Sequence, residues 1–114
     1  MRMRKLGFSD LHMTTVGFGA WAIGGGDWDW GWGPQDDQVS LATLQKALDL
    51  GINWIDTAAA YGLGRSEELV GRAVRGRRDE LVIATKCGLV WDDPRTGLVT
   101  NHLKADSVRK EAED

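Results

Sequence analysis

The order of short apolar segments and helix-forming segments constrains the fold of this chain more than any other feature. Apolar runs at 16–20, 52–55 and 81–85 are each followed by a segment with helical periodicity. They recur roughly every 30 residues, the length of a strand–helix–strand unit. Ahead of them, the segments 3–6 and 12–16 flank a turn and predict a β-hairpin. Strands that alternate with helices at this spacing predict a parallel sheet with right-handed crossovers.

The first helix is predicted from its apolar face and its end signals. Pro34 precedes an acidic pair that suits a helix start, and Gly51 stands where a left-handed C-terminal residue belongs. Between these signals, the spacing predicts one shared apolar face, formed by Val39, Leu44, Ala47 and Leu48.

The second half of the chain is interpreted in the same way. Ser66 is predicted to be the N-cap of the second helix, and Gly76 its stop. The run at 81–85 is nearly continuously apolar, which is typical of a parallel strand buried on both faces. The segment 88–103 is predicted to be a loop, and a polar helix is predicted from 105 to 114.

Two architectures contain such a series, an open doubly wound sheet and a (β/α)8 barrel. A complete barrel takes about 250 residues, whereas this chain has 114. In the second architecture, residues 1–114 would be a hairpin plus about three β/α units, ending within the third helix. Both outer strands of such a partial barrel would have unpaired edges, which favours association with another chain.

Composition and charge exclude several classes of function. The net charge is -3 with the two signs well mixed, so a nucleic-acid partner is not expected. The basic N-terminus is not followed by a long apolar run, so neither a secretory signal peptide nor a membrane span is expected. Cys87 is the single cysteine, which favours the reducing cytoplasm; beside Lys86, it is expected to be buried and inert.

Three side chains are candidates for catalysis. Asp56 and Lys86 lie at the carboxyl ends of the second and third predicted strands, where α/β folds build their active sites. Adjacent parallel strands are about 4.8 Å apart, so these two side chains can pair. Tyr61 lies in the loop that begins at the same edge.

Such a trio suits proton donation to a carbonyl. A phenol with a pKa near 10 is a poor acid at neutral pH, and a nearby ammonium lowers the pKa of a phenol. A carboxylate holds that ammonium in place. From spacing alone, the ordinary interpretations stay open: Lys86 as a solvated surface charge and Asp56 as a turn residue.

Four ordered blocks resemble the aldo-keto reductase family. The segment 51–71, GINWIDTAAAYGLGRSEELVG, is very similar to that family's signature, and VIATK at 82–86 is similar to its lysine strand. Upstream, the segments 6–7, 9–11 and 16–21 resemble its N-terminal hairpin and first strand. The similarity extends over essentially the whole chain, and it implies a (β/α)8 barrel fold.

The resemblance also implies an activity and residues that carry it. The family's catalytic aspartate, tyrosine and lysine match Asp56, Tyr61 and Lys86. The implied reaction is the NAD(P)H-dependent reduction of an aldehyde or ketone to an alcohol, in which the tyrosine protonates the new alkoxide. The family's usual preference is for NADP(H), with NAD(H) as the alternative, and no metal is expected.

Further positions are implied to surround the cofactor and the substrate. Gly19, Ala20 and Trp21 match family positions beside the nicotinamide, together with Asp56. Trp21 and Tyr61 are expected to line the substrate pocket, as is Trp91, which lies just past a strand end. The rings of Trp28, Trp30 and Trp32 either line the mouth of that pocket or pack a long loop.

One departure from the family leaves alternatives. The family's fourth catalytic residue is a histidine on a later strand, and neither His12 nor His102 is at the matching position. The 114 residues alone are therefore expected to be inactive. The alternative function is a half-barrel that associates with itself or with a complementary C-terminal barrel portion. A small dinucleotide-binding module is only a residual third possibility. The Gly-x-Gly at 17–19 is followed by Trp21 and a long loop instead of the helix that such a motif requires, and a simple turn is favoured for the Gly-x-Gly at 62–64.

Overall fold

The computed structural model of the chain describes residues 1–26, 30–96 and 98–113. Within those ranges, the helices are α1 (Asp37–Asp49), α2 (Arg65–Ala73) and α3 (Ala105–Glu113). The strands are β1 (Met3–Lys5), β2 (His12–Thr14), β3 (Phe18–Gly19), β4 (Trp54–Asp56), β5 (Val82–Ala84), β6 (Leu89–Val90) and β7 (Thr100–Asn101). None of the described helices is long and apolar enough to cross a membrane.

The central sheet contains β3, β4 and β5 in that order, and both pairs of strands are parallel. Helix α1 connects β3 to β4, and α2 connects β4 to β5. The parallel β/α series predicted from the sequence is therefore confirmed. The N-terminal hairpin is confirmed as well, since β1 and β2 pair antiparallel with Met3 opposite Thr14.

The hydrophobic core joins the sheet to α1 and α2. Leu44 of α1, Ile55 of β4 and Leu69 of α2 are fully buried. Removal of this apolar surface from water is the main force that holds the helices on the sheet. Helix α3 contributes no buried residue, so its apolar contacts with the rest of the described chain are few.

The predicted buried face of α1 is partly wrong. Asp36 caps the helix, and its carboxylate accepts a hydrogen bond from the Val39 backbone amide at 2.9 Å. This cap places Val39 in the first turn on the outer side, where it is 64% exposed. Ser40 is buried instead, because it lies four and eight residues before Leu44 and Leu48 on one helix face.

Ser66 is not the N-cap that the sequence predicts. Gly64 holds that position with a φ of 96°, and its carbonyl accepts the first hydrogen bond from Glu68. The turn before α2 has three successive residues with positive φ, Gly62, Leu63 and Gly64. This geometry agrees with the simple turn that the sequence favoured over a phosphate-binding loop.

The segment 88–103 is not only a loop. It contains a short antiparallel ladder of β6 and β7, with Leu89 opposite Asn101. Strands of two residues carry no detectable periodicity, so sequence patterns do not predict them.

The buried environment predicted for β5 and Cys87 is also wrong. Val82 and Ile83 are half-buried, and Ala84 and Cys87 are exposed. In the described part of the chain, no strand pairs with the outer edge of β5, so that side of the strand stays open.

Candidate active site

The sheet register brings Asp56 and Lys86 together. Asp56 ends β4 directly opposite Ala84 of β5, and Lys86 lies two residues beyond Ala84, on the same face of the sheet. The Lys86 Nζ donates to Asp56 Oδ1 at 2.8 Å and to the Thr57 carbonyl at 2.8 Å. The two side chains are 48% and 40% exposed, so the pair is open to a ligand from solvent.

The surroundings of Lys86 keep it charged. Partial burial acts to lower its pKa, but the hydrogen bond to Asp56 and the interactions with Tyr61 outweigh that effect. Together they raise the pKa of Lys86 above its ordinary value of 10.5. Lys86 is therefore an ammonium throughout the neutral range.

Tyr61 lies against this ammonium. It follows β4 in a tight turn, in which its backbone amide donates to the Ala58 carbonyl at 3.0 Å. The Nζ of Lys86 lies over the Tyr61 ring, 4.9 Å from the ring centroid, within the range of cation–π attraction. Lys86 thus contacts both Asp56 and Tyr61, and the three residues that the sequence predicts to converge lie together in the structure.

Trp21 adds an aromatic wall to the site. Its ring stacks on Tyr61 with centroids 6.0 Å apart and an interplanar angle of 17°. Its indole nitrogen donates to the Trp30 carbonyl at 3.0 Å. Trp32 lies next to Trp21, tilted by 52° at a centroid distance of 6.4 Å. Trp21 is itself 45% exposed, so one face of this wall is open.

Comparison with known proteins places the chain in a family. A model of the aldo/keto reductase family matches residues 15–114. The chain belongs to this family. It is 41% identical to an uncharacterized oxidoreductase, YqkF, of Bacillus subtilis (strain 168), over 96% of this chain and 34% of that protein. It is 38% identical to the NADH-specific methylglyoxal reductase of Escherichia coli (strain K12), over 97% of this chain and 36% of that protein.

A solved aldo-keto reductase has the same architecture. The chain superposes on AKR11C1 from Bacillus halodurans, in its holo form, with a TM-score of 0.83 and 30% identity. The match covers 99% of this chain and 34% of that one, so the chain spans about a third of the length of the relatives it matches. Such relatives are (β/α)8 barrels, and the three-stranded sheet is part of one. The predicted fold class is confirmed.

The residues predicted to lie beside the cofactor differ in their exposure. Gly19 pairs with Asp56 across the sheet, and a Cβ added at Gly19 would meet nothing within 4 Å. Gly19 therefore faces open space beside the site. Ala20 is fully buried in the core, so its side chain does not reach that space. Its carbonyl accepts a hydrogen bond from the Ser66 hydroxyl, and its amide donates to the backbone carbonyl of Asp56.

Other candidate residues lie elsewhere. Trp91 lines a separate cavity of about 410 Å³ between α2, the β6–β7 segment and α3, and neither Tyr61 nor Trp21 is part of its wall. His12 contacts the Asp10 carbonyl within the hairpin, and His102 is exposed before α3. Trp28 lies outside the described residues.

The structure places two residues beneath the site that the sequence patterns did not predict there, Thr57 and Ser66. Thr57 and Ser66 are 1% and 0% exposed, and their hydroxyl oxygens are 2.9 Å apart. A sequence signal for Ser66 exists. It shares a helix face with Leu69, Val70 and Ala73, so a hydroxyl at this apolar position indicates a buried hydrogen bond.

Proposed function

We propose that the protein reduces aldehydes or ketones to alcohols with a nicotinamide cofactor. The observation that carries this proposal is the contact of Lys86 with both Asp56 and Tyr61 at the carboxyl edge of a parallel sheet. The family membership supports it, and one similar protein is by name a methylglyoxal reductase. NADP(H) is the cofactor that the family resemblance implies. NAD(H) is the alternative, since that same relative is by name NADH-specific.

Each side chain of the trio has a separate role in this proposal. The Tyr61 hydroxyl donates its proton to the oxygen of the carbonyl as that oxygen becomes an alkoxide. The charge of Lys86 stabilises the phenolate that remains. Asp56 fixes the position of Lys86 through their hydrogen bond. The cofactor, when bound, supplies the hydride that the carbonyl carbon receives.

The residues present fit a nicotinamide ring. The open space at Gly19 admits a flat group beside Asp56, and the exposed face of Trp21 can flank it or the substrate. We propose that Gly19, Trp21 and Asp56 contact the ring, and that Ala20 acts through its buried backbone. We assign Trp21 and Tyr61 to the substrate pocket, where aromatic walls favour apolar carbonyl compounds. Trp91 would join them only by a rearrangement of its segment.

We propose that the phosphates and adenosine of the cofactor bind to residues other than these 114. We propose likewise that none of these 114 residues supplies the fourth catalytic residue. Positioning has a large effect on catalysis, so the 114 residues by themselves are expected not to turn over. A chimera tests both the proposed reaction and the proposed inactivity of the separate chain. In it, the 114 residues replace the matching segment of the Escherichia coli methylglyoxal reductase, which is 38% identical.

The chimera and the separate chain are offered aldehydes with NADPH or with NADH, and cofactor oxidation is followed by absorbance. We expect turnover by the chimera and no turnover by the separate 114-residue chain. A folded chimera that binds the cofactor but reduces no carbonyl compound would contradict the proposed function. Turnover by the 114 residues alone would contradict the proposed inactivity and leave the proposed reaction in place.

A second proposal concerns the open sheet edges. The outer edges of β3 and β5 pair with no strand among the described residues. Unpaired edges recruit other strands, because their backbone amide and carbonyl groups lack partners. We propose that the separate chain associates through these edges with itself or with a complementary barrel portion.

A further inference from the structure

Two buried hydroxyls connect the segments that carry the candidate site. Thr57 follows β4 and Ser66 lies in the first turn of α2, and both are almost completely inaccessible to solvent. A buried hydroxyl without a hydrogen bond is costly. Both are bonded here: Thr57 Oγ1 lies 2.9 Å from Ser66 Oγ, and Ser66 Oγ donates to the Ala20 carbonyl at 2.8 Å.

The direction of these hydrogen bonds follows from proton counting. A serine hydroxyl has one proton, and that of Ser66 is donated to Ala20. Thr57 must therefore be the donor in its bond with Ser66. The result is a directed relay from Thr57 through Ser66 to the carbonyl of Ala20.

The relay closes on the catalytic pair. The amide of Ala20 donates to the Asp56 carbonyl at 2.8 Å, so Ala20 is held through both of its backbone polar groups. The Nζ of Lys86 donates to the carbonyl of Thr57 and to the carboxylate of Asp56. Together with the peptide bond between Asp56 and Thr57, these hydrogen bonds form a closed ring, the circuit, beneath the site.

Trp21 depends on this circuit because it directly follows Ala20. Its ring stacks on Tyr61, and its position is fixed from the Ala20 side by the relay. We propose that Thr57 and Ser66 are positioning residues that hold Trp21 against Tyr61 and in register with Lys86. The effect of this positioning on carbonyl reduction rests on the proposed function. The positioning of Trp21 itself does not.

The positioning is tested on the 114-residue chain by fluorine NMR after labelling with 5-fluorotryptophan. The chain has six tryptophans, and Trp21→Phe assigns the Trp21 signal. Tyr61→Leu then gives the reference shift for loss of the stacking ring. Thr57→Val removes the donor hydroxyl with little change of shape, and Ser66→Ala breaks the relay at its second step. Each is expected to move the Trp21 signal by most of the reference shift.

Two controls isolate the hydroxyls. Thr57→Ser retains the donor and is expected to keep the Trp21 signal in place. Thr43→Val removes an exposed hydroxyl that bonds within its own helix α1, to the Val39 carbonyl, and is also expected to have no effect. An unchanged Trp21 signal in folded Thr57→Val or Ser66→Ala would overturn the proposal. So would a Thr57→Ser variant that shifts or unfolds as Thr57→Val does, since the methyl packing would then be responsible.

A kinetic measurement on the chimera tests the functional consequence. Thr57→Val and Ser66→Ala are expected to lower kcat/KM on the order of 10- to 100-fold, because small displacements of site residues slow catalysis. Thr57→Ser is expected to restore it. If the parent chimera has no turnover, the proposed function fails while the fluorine measurement still decides the positioning. Full activity in both relay variants would overturn the catalytic part of the inference.

Discussion

Lys86 contacts three parts of the candidate site at once. It binds the Asp56 carboxylate and the Thr57 carbonyl, and it lies over the ring of Tyr61. The pair with Asp56 is half-exposed, so solvent screens much of its electrostatic energy. Its main effect is therefore to fix the position of a charge, and its contribution to stability is small.

The stability that Lys86 supplies depends on pH in a defined direction. Its pKa is raised in the folded chain. Its contribution to folding stability is therefore present below pH 10.5 and is lost as the pH rises above that value. Lys86→Met is expected to lower the free energy of unfolding by less than about 1 kcal/mol at neutral pH. The difference between the variant and the wild type in free energy of unfolding should vanish well above pH 10.5. Urea unfolding at both pH values measures it. The control Lys46→Met should show no such difference, and an equal loss in both variants would contradict the assignment.

Gly62 holds the Tyr61 turn against the segment that follows β3. Its φ is 61°, and a side chain there would collide with the carbonyl of Gly24. Gly62→Ala is expected to lower the free energy of unfolding by about 1–3 kcal/mol. Gly71→Ala makes the same change within α2, where a Cβ has open space, and should stabilise by about 0.5–1 kcal/mol. Equal effects of the two substitutions on chemical denaturation would show that the close backbone contact is unimportant.

Helix α2 joins the core to the site. It buries Leu69, Val70 and Ala73 on one side, and its first turn carries Ser66 of the relay. Arg65 at its start forms ion pairs with Asp37 of α1 and with Glu68. We therefore expect a change in the packing of α2 to reach the segment beside Trp21.

Truncation within α2 should therefore be costly. Leu69 is fully buried, and Leu69→Ala is expected to lower the free energy of unfolding by about 2–5 kcal/mol. Leu50→Ala removes the same atoms from a side chain that is 63% exposed, with an expected change below about 0.5 kcal/mol. Denaturant titration of both variants measures the contrast. Similar losses would mean that the core is not where the structure places it.

The elements of this chain differ in how far their sequences determine them. The parallel strands were predictable because each lies within a longer apolar run of the sequence, and α1 was predictable from the signals at its two ends. The convergence of Asp56 and Lys86 was predictable from strand parity. The exposure of Val39 was not predictable, because a shift of one or two residues in a helix start turns a different side chain inward.

Features set by contacts distant in sequence were the least predictable. The contact of Gly24 with Gly62 and the bond from Ser66 to Ala20 join segments that no local pattern relates. The exposure of Cys87 depends on which strands flank β5, a property of the sheet and not of the strand itself.

At the scale of the whole molecule, the central sheet has two outer edges that none of the described strands covers. The chain spans about a third of the length of its barrel relatives, and the described strands leave the outer edges of β3 and β5 free. The separate chain is expected to associate as its concentration rises, without added cofactor. Sedimentation velocity over a range of concentrations measures this. The chimera, in which neighbouring strands cover both edges, is the control. A separate chain that stays monomeric throughout would contradict the edge proposal.

We propose that Asp56, Tyr61 and Lys86 carry out carbonyl reduction with Tyr61 as the acid. The most direct test is the turnover number of the chimera with Tyr61→Phe, which removes only the hydroxyl oxygen and its proton. We expect Tyr61→Phe to lower kcat by at least about 100-fold with cofactor binding retained, and Lys46→Met to leave kcat unchanged. A Tyr61→Phe chimera that turns over as fast as its parent would show that another group donates the proton.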